Sequence, residues 1–472
     1  MVTPLVARGS LALLLVSLVP ACTGAISVDG GGSEKAAPQT SPAVPEQQIP
    51  DATDLAYPGS GFVVHEWGTD TVVVGSNGSL QPGLHHEEED LPEFVFDRIK
   101  AGSLEGSTSV HVKMETPVTY FYSGAPLTAN VSVAFPMGVL TQWYPAVRSF
   151  YPFVAGPNSV AGMTSWKDPA LDLDFPFTSQ LCSDKHGAIA NGLLDWGTVE
   201  ILGRGESVPM PEAPLEKFTW SFAREVDANP IRIGGVPGAM TEPQGEKFLF
   251  YRGLGNFDLP VRVEALGGGS VVATNTLAAP IGAVFVLNVS ETAGAFIAHP
   301  KGIEASGELA GTVPSLEKAM PLETFVEALG EDVTNALDAT GLYHDEAVAM
   351  VNTWKRQWFR TPGVRVLYLT PQAWTEASIP LAVDPAPEEV VRVMMIRVEV
   401  ITPELEVADV AQVKKLAGGG EEVSQAKAYF KGLGRFAEPR LRRAMEIAGE
   451  EPGAAALLAE IASAETRVAA GE

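Results

Sequence analysis

Alternating and continuous apolar runs predict that the chain is built mainly from β-strands between about residues 60 and 311. Gly, Pro and Asn-Gly signals separate the runs, as turns between strands do. The clearest predicted strands are residues 62–74, 110–114, 118–122, 131–135, 218–223, 247–251, 261–265, 271–274 and 284–289. Residues 92–100 are predicted as a short helix and residues 143–152 as a loop. Short strands at this spacing predict an antiparallel β-sandwich.

The hydrophobic period changes to that of helices after residue 311. Residues 315–329, 344–359, 423–448 and 453–469 read as helices, and Thr402-Pro403-Glu404 is a typical helix start. Buried strands are predicted at 364–369 and 390–401. The expected fold class is therefore α+β, with a sandwich domain (58–311), a mixed α/β segment (312–416) and C-terminal helices (417–472).

The N-terminus reads as a targeting segment. Arg8 precedes an apolar run at residues 11–19 that is too short to span a bilayer. The following Val-Pro-Ala-Cys at 19–22 resembles the lipobox of bacterial lipoproteins, which implies a signal peptide (1–21) and lipidation of Cys22. Cleavage as an ordinary secreted protein is the alternative.

Residues 22–57 read as a flexible tether, because they are rich in Gly and Pro and poor in apolar residues. Thr23 follows the lipidated cysteine, where lipoproteins of the inner membrane often have Asp, and this resemblance favours the outer membrane. The protein would then be attached to the membrane through its N-terminal lipid. Cys182 would have no partner for a disulfide bond, so the fold must depend on burial of its core.

Composition narrows the function classes. Hydrophobic residues make up 46% of the 472, which is enough for a large core. The net charge of −26 disfavours binding to nucleic acid, since phosphate would be repelled. Phosphate-binding loops, zinc-protease helices and serine elbows are absent from the sequence, and we expect no cofactor.

The strand at residues 62–74 carries the densest group of functional side chains. Period-two alternation places His65 and Trp67 on one face and Glu66 and Asp70 on the other. Glu66 and Asp70 would be roughly 13 Å apart, too far for a pair of glycosidase carboxylates. Gly68 could introduce a β-bulge here. Glu66 and Asp70 would then need cationic partners, for which Arg224 and Arg252 are the candidates.

The next strand supplies a possible second half of a site. His111, Lys113 and Glu115 alternate with apolar residues, so they share one face. If this strand lies beside the first, His65, His111 and Glu115 could converge as a catalytic or metal-binding cluster with Lys113. The alternative is a solvated face or a paired ionic network.

Other polar and aromatic residues are weaker candidates. Trp67, Arg252, Trp143 and Tyr144 are candidate binding residues, provided that the aromatic ones are exposed. Charges within apolar runs, such as Arg397 and Glu399, indicate either internal ion pairs or an arginine site for an anion. The run 85–90 (HHEEED) and the pair Cys182 and His186 lack a specific metal or nucleophile signature, and no metal ligand is assigned.

Four phrases resemble those of an uncharacterised family of exported bacterial proteins. They are VHEWGT (64–69), KMETPVTYFY (113–122), EKFLFYRGLG (246–255) and VRVLYLTPQAWT (364–375). The resemblance implies a shared fold and an exported location, and it implies no activity.

The function expected from the sequence is that of a lipid-anchored protein of the cell envelope. A binding or structural β-sandwich, with an envelope polymer or protein as partner, is favoured. The alternative is a hydrolase, with or without a metal, that uses the His/Glu/Lys cluster, so whether the protein is an enzyme stays open.

Overall fold

The structure is a computed structural model that describes residues 61–84, 86–87, 90–97, 110–151, 191–234, 242–449 and 451–463, and the backbone of 165–168 and 173–176. The predicted signal peptide and tether lie outside the described residues. So do Cys22, His85, Cys182 and His186.

The strands follow the alternating segments of the sequence. In chain order they are β1 (Phe62–Val74), β2 (Phe96–Asp97), β3 (Val112–Ser123), β4 (Leu127–Phe135), β5 (Gly138–Tyr144), β6 (Ser149–Tyr151), β7 (Ser165–Asp168), β8 (Leu173–Pro176), β9 (Gly192–Ile201), β10 (Ile231–Ile233), β11 (Gln244–Glu246), β12 (Phe248–Gly255), β13 (Val261–Leu266), β14 (Ser270–Asn275), β15 (Val284–Val289), β16 (Ala293–His299), β17 (Glu308–Thr312), β18 (Met320–Pro321), β19 (Gly363–Leu369), β20 (Leu381–Asp384) and β21 (Glu389–Val400).

Helices are concentrated in the second half of the described chain. They are α1 (Trp220–Arg224), α2 (Leu322–Asp338), α3 (His344–Trp354), α4 (Gln372–Ser378), α5 (Pro403–Lys415), α6 (Glu421–Lys431), α7 (Ala437–Ala448) and α8 (Ala454–Ser463). Short 3-10 helices cover Leu316–Lys318 and Gly434–Phe436. The fold is α+β, with large antiparallel sheets and C-terminal helices, as predicted. None of the helices described is long and apolar enough to cross a membrane.

A ten-stranded sheet forms the centre of the molecule. Its strand order is β18-β16-β15-β19-β21-β1-β3-β12-β5-β2. The β1–β21 pair is parallel, and the other described pairs of this sheet are antiparallel. A six-stranded sheet (β11-β10-β9-β4-β20, with β6 beside β9) and a three-stranded sheet (β13-β14-β17) accompany it.

Strand β1 lies inside this sheet and is buried along its length. Every residue of β1 except Phe62 is buried, because β21 and β3 flank it and both faces of the sheet are covered. The predicted boundary at residue 311 therefore runs through one sheet rather than between two domains. Strands β19 and β21, from the predicted mixed segment, pair directly beside β1 and β15.

Different elements pack on the two faces of the ten-stranded sheet. We call the side that carries His65 and Glu115 the helical face, because α1 and α3 contact it. The opposite side, which carries Glu66 and Tyr251, is called the sheet face. Trp196 of β9 packs against Tyr251 at 6.2 Å between ring centres, and β13 packs against β21, so the smaller sheets cover this face.

The C-terminal helices have a small hydrophobic core of their own, which includes Leu416, Phe430 and Leu441. As predicted, α5 begins after Thr402, whose side chain accepts a hydrogen bond from the backbone N–H of Leu405. The predicted helix 423–448 is broken near its glycines into α6, the 3-10 helix Gly434–Phe436 and α7.

Several local predictions were wrong. Residues 218–223, predicted as a strand, contain the start of α1. The predicted strands 110–114 and 118–122 are one continuous strand, β3, whose register shifts near Pro117. Residues 143–151, part of the predicted loop, contribute to β5 and β6, and residues 92–97 form a turn followed by β2. Burial against neighbouring elements decided these cases over local propensity.

Candidate functional site

His65 on the helical face is bound to a glutamate from α3. Its Nδ1 lies 2.7 Å from Oε2 of Glu346. The hydroxyl of Tyr122 donates to Oε1 of the same carboxylate at 2.7 Å, and the backbone N–H of Tyr343 donates to Oε2 at 2.7 Å. Glu346 sits in the first turn of α3, where a carboxylate is favoured by the helix dipole.

The surroundings of this group seal it from solvent. His65 is 1% exposed and Glu346 is 0% exposed. The rings of Tyr343 and Tyr122 lie 4.5 and 5.2 Å from the His65 ring. Burial, and next the charge of Glu346, raise the pKa of Tyr122 well above its usual 10.0, so Tyr122 stays a neutral donor. A histidine held by a carboxylate has the geometry of an oriented base, but here it has no open side.

Glu115 on β3 joins the sheet to the C-terminal helices. The hydroxyl of Thr71 donates to its Oε2 at 2.8 Å, and Nη1 of Arg435 donates to its Oε1. Burial opposes ionisation of Glu115, but Arg435, followed by Lys113, overcomes it and lowers the pKa to about 2. Glu115 is thus a charged partner for Arg435 and not a proton donor near neutral pH.

Lys113 is also paired. Its Nζ lies 2.6 Å from Oε1 of Glu87, and Nη1 of Arg252 lies 2.7 Å from Oε2 of the same carboxylate. Burial favours the neutral form of Glu87, yet Lys113 and Arg252 lower the pKa of Glu87 below its usual 4.5. The three side chains form a nearly buried ionic group beside Glu115.

Glu66 on the sheet face is bound by Arg392 of β21. Oε1 of Glu66 accepts from Nε and Nη2 of Arg392 at 3.0 and 2.6 Å, and Oε2 accepts from Tyr251 at 2.8 Å. The partners suggested by sequence, Arg224 and Arg252, were wrong. Arg224 binds Glu246 at 2.7 Å and Arg252 binds Glu87.

The strand register decides which predicted site residues meet. β3 lies beside β1, which was the condition for the predicted site, and the pair shifts register opposite Gly68, with the extra residue in β3. The pairing is antiparallel, with His65 opposite Tyr120 and Thr71 opposite Lys113. His111 therefore lies near the other end of β1, roughly 26 Å from His65 at about 3.3 Å a residue. The predicted convergence of His65, His111 and Glu115 was wrong, whereas Lys113 and Glu115 do share a face.

The predicted binding residues lie inside the protein. Trp67 is 0% exposed, Trp143 and Tyr144 are each 1% exposed, and Arg252 is 3% exposed. Trp143 packs between the ring of Phe96, its partner on the neighbouring strand β2 of the large sheet, and the ring of Phe150 on β6 of the six-stranded sheet. The expectation of an exposed aromatic surface at these positions was therefore wrong.

Some of the partners that the sequence analysis missed have a partial signal in the sequence. Arg365, Arg397 and Glu399 form a buried group in which both arginines bind the carboxylate, at 2.9 and 2.7 Å. An internal ion pair of Arg397 and Glu399 was one of the two interpretations of the sequence. Arg392 is likewise a charge within that apolar run, which indicates an internal partner. Glu346 and Arg435 lie in helical segments, and nothing in their sequence indicates that they contact β1 or β3.

Fold and site together define an α+β protein in which the polar residues of the central strands form buried ionic groups. The described part of the chain contains no group of three or more His, Cys, Asp or Glu that could hold a metal. The chain matches no protein-family model and no curated protein sequence.

Among solved structures, the chain is similar to the Mu homology domain of Fcho1 from Danio rerio with bound Eps15 peptide. The identity is 7%, over 72% of this chain and 96% of that chain, and the TM-score is 0.25. A similarity at this TM-score supports no argument about fold or function.

Proposed function

We propose that the protein is a lipid-anchored component of the cell envelope with a binding or structural role. The observation that carries the non-catalytic part is the pairing of the candidate catalytic side chains. His65, Lys113 and Glu115 are 1–2% exposed, and each is bound to an oppositely charged or polar partner inside the fold. Catalytic groups must reach a substrate, and these do not.

Buried ion pairs of this kind favour a structural interpretation. An unpaired buried charge is costly, and a paired one helps to specify a single arrangement of strands and helices. The pairs link β1 and β3 to α3, to β21 and to the segment before α7. They therefore support a rigid body that presents its outer surface to an envelope polymer or a partner protein.

The lipid anchor rests on the sequence around Cys22. Arg8, the apolar run 11–19 and the lipobox-like residues before Cys22 support export and acylation. The Gly- and Pro-rich residues 23–57 would reach roughly 30–35 Å as a flexible coil, enough to hold the folded body away from an outer membrane.

Metabolic labelling with a palmitate analogue, followed by membrane fractionation, tests the anchor. We expect the full chain to take up label and to sediment with outer membranes, and Cys22→Ala to lose both properties. Cys182→Ala is the matched control, because it removes the second cysteine and leaves the lipobox intact. Labelling that survives Cys22→Ala would refute the anchor.

A hydrolase that uses His65 is the competing proposal, and the His65–Glu346 hydrogen bond favours it. A bound metal would require a site that opens around His65. Elemental analysis of the purified full chain and of His65→Ala tests this version. A stoichiometric metal that is lost in His65→Ala would overturn the non-catalytic proposal, and absence of metal from both proteins would remove the metal-dependent alternative.

A further inference from the structure

Asp70 is the polar residue of β1 whose carboxylate has no partner among the described residues. Its side chain is 0% exposed, and neither Oδ1 nor Oδ2 accepts a hydrogen bond. Its neighbours across the strands are Met114 of β3 and Ile396 of β21, both 0% exposed. Asp70 therefore lies in an apolar part of the core, unlike Glu66 on the same face.

Tyr368 of β19 lies one strand further along the same row. Ile396 pairs with Asp70 on one side and with Tyr368 on the other, so the three residues share the sheet face. The hydroxyl of Tyr368 is also buried and lacks a hydrogen bond of normal geometry. Burial, and next the Asp70 carboxyl, raise the pKa of Tyr368 well above 10.0, while the backbone of Val261 opposes the shift.

The charged groups around Asp70 would not balance the negative charge of its ionised carboxylate. Glu115 of β3 is the charge that acts on it, and its sign is the same. On its own face, Arg392 of β21 is bound to Glu66, and on β13 Arg262 is bound to Glu264 near the surface. An ionised Asp70 would thus be an unpaired buried charge, which costs far more than a neutral acid in the same place.

We propose that Asp70 is a neutral carboxylic acid in the folded protein at neutral pH, and that it makes the central sheet a pH-sensitive element that weakens as pH rises. Burial, and next Glu115, raise the pKa of Asp70 well above its usual 3.8. The unfolded chain releases this proton near pH 4, whereas the folded chain retains it. Unfolding is therefore favoured by up to tenfold for each pH unit above about 4, until the folded-state pKa is passed.

The test compares urea unfolding of the full chain with that of Asp70→Asn from about pH 5 to about pH 9. We expect the ratio of the wild-type to the variant unfolding constant to rise by up to tenfold per pH unit. Asp258→Asn is the matched control, since Asp258 is exposed on the loop after β12, and its curve should parallel the wild type. Parallel curves for wild type and Asp70→Asn would overturn the proposal.

A second measurement tests the proposal even if Asp70→Asn does not fold. Asp70→Leu suits the apolar surroundings and serves as the reference for spectra of the full chain labelled with ¹³C at the Asp side-chain carboxyl. We expect one wild-type resonance to have the shift of a neutral acid at neutral pH and to be missing from Asp70→Leu. If every wild-type resonance has the shift of a carboxylate at that pH, Asp70 is ionised and the proposal fails.

Discussion

Glu66 and Arg392 are joined by two hydrogen bonds across the parallel β1–β21 pair, although 326 positions separate them in the sequence. Both side chains are nearly fully buried, at 1% and 2% exposed. The contact ties the first strand of the described fold to its last. It is also the clearest case in which a charge within an apolar run is explained by one specific partner.

Removal of Arg392 alone should be severely destabilising. Arg392→Met leaves the Glu66 carboxylate buried without its cation, and we expect a loss of about 3–5 kcal/mol in the free energy of unfolding. Urea unfolding measures it. The double variant Glu66→Gln/Arg392→Met should recover part of the loss, because it also removes the unpaired negative charge of Glu66. A double variant that is as unstable as the sum of both single variants would argue against direct pairing.

Glu346 should be required for packing of α3 on the sheet. Glu346→Ala removes the hydrogen-bond partner of the His65 ring, the Tyr122 hydroxyl and the Tyr343 N–H. Each buried group that finds no new partner should lower the free energy of unfolding by about 1–3 kcal/mol. Thermal unfolding of the variant should show a clear decrease in melting temperature. The exposed Glu331→Ala on α2 is the control and should change little.

Glu115 should cause part of the acid unfolding. Its pKa is lowered from 4.5 to about 2 in the folded state, so its contribution to stability is present above about pH 4.5 and is lost as pH falls towards 2. The contribution is at most about 3 kcal/mol. Unfolding of Glu115→Gln, followed by circular dichroism from about pH 6 to about pH 2, should show a shallower pH dependence than the wild type. Equal slopes would contradict the assignment.

Gly68 should tolerate no side chain. A Cβ atom at this position would lie 2.9 Å from Cα of Pro117, where β3 shifts register against β1. We expect Gly68→Ala to lower the free energy of unfolding by about 1–3 kcal/mol through overpacking. Gly311→Ala in the exposed strand β17 meets no atom within 4 Å and is the control. Equal stability of the two variants would show that the bulge can adapt.

The sequence alone predicted features that depend on neighbouring residues. The alternation of β1 put His65 and Glu66 on opposite faces, and the structure confirms this. The start of α5 after Thr402 was also predicted, because capping residues act over a few positions. The extra residue of the irregularity opposite Gly68 lies in β3, so the alternation of β1 continues through Gly68. These are local consequences of backbone geometry.

Predictions that needed a distant partner were less successful. The tendency of residues 218–223 to form a strand was overridden when α1 packed on the sheet beneath it, with Tyr120 donating to the Ala223 carbonyl. The site predicted at His65 and His111 failed because the antiparallel register of β3 sends them to opposite ends of β1. Register between strands depends on the whole turn and core, not on either strand alone.

What the sequence determined by itself is the class of the fold, the change from strands to helices along the chain, and the faces of β1. Only the tertiary structure decided that β21 runs parallel to β1 and that Glu66 takes Arg392, His65 takes Glu346 and Asp70 takes no described partner. The physical reason is the distance along the sequence over which each effect acts. Periodicity and capping act over a few residues, whereas the partner of a buried charge is set by which distant element covers that face of the sheet.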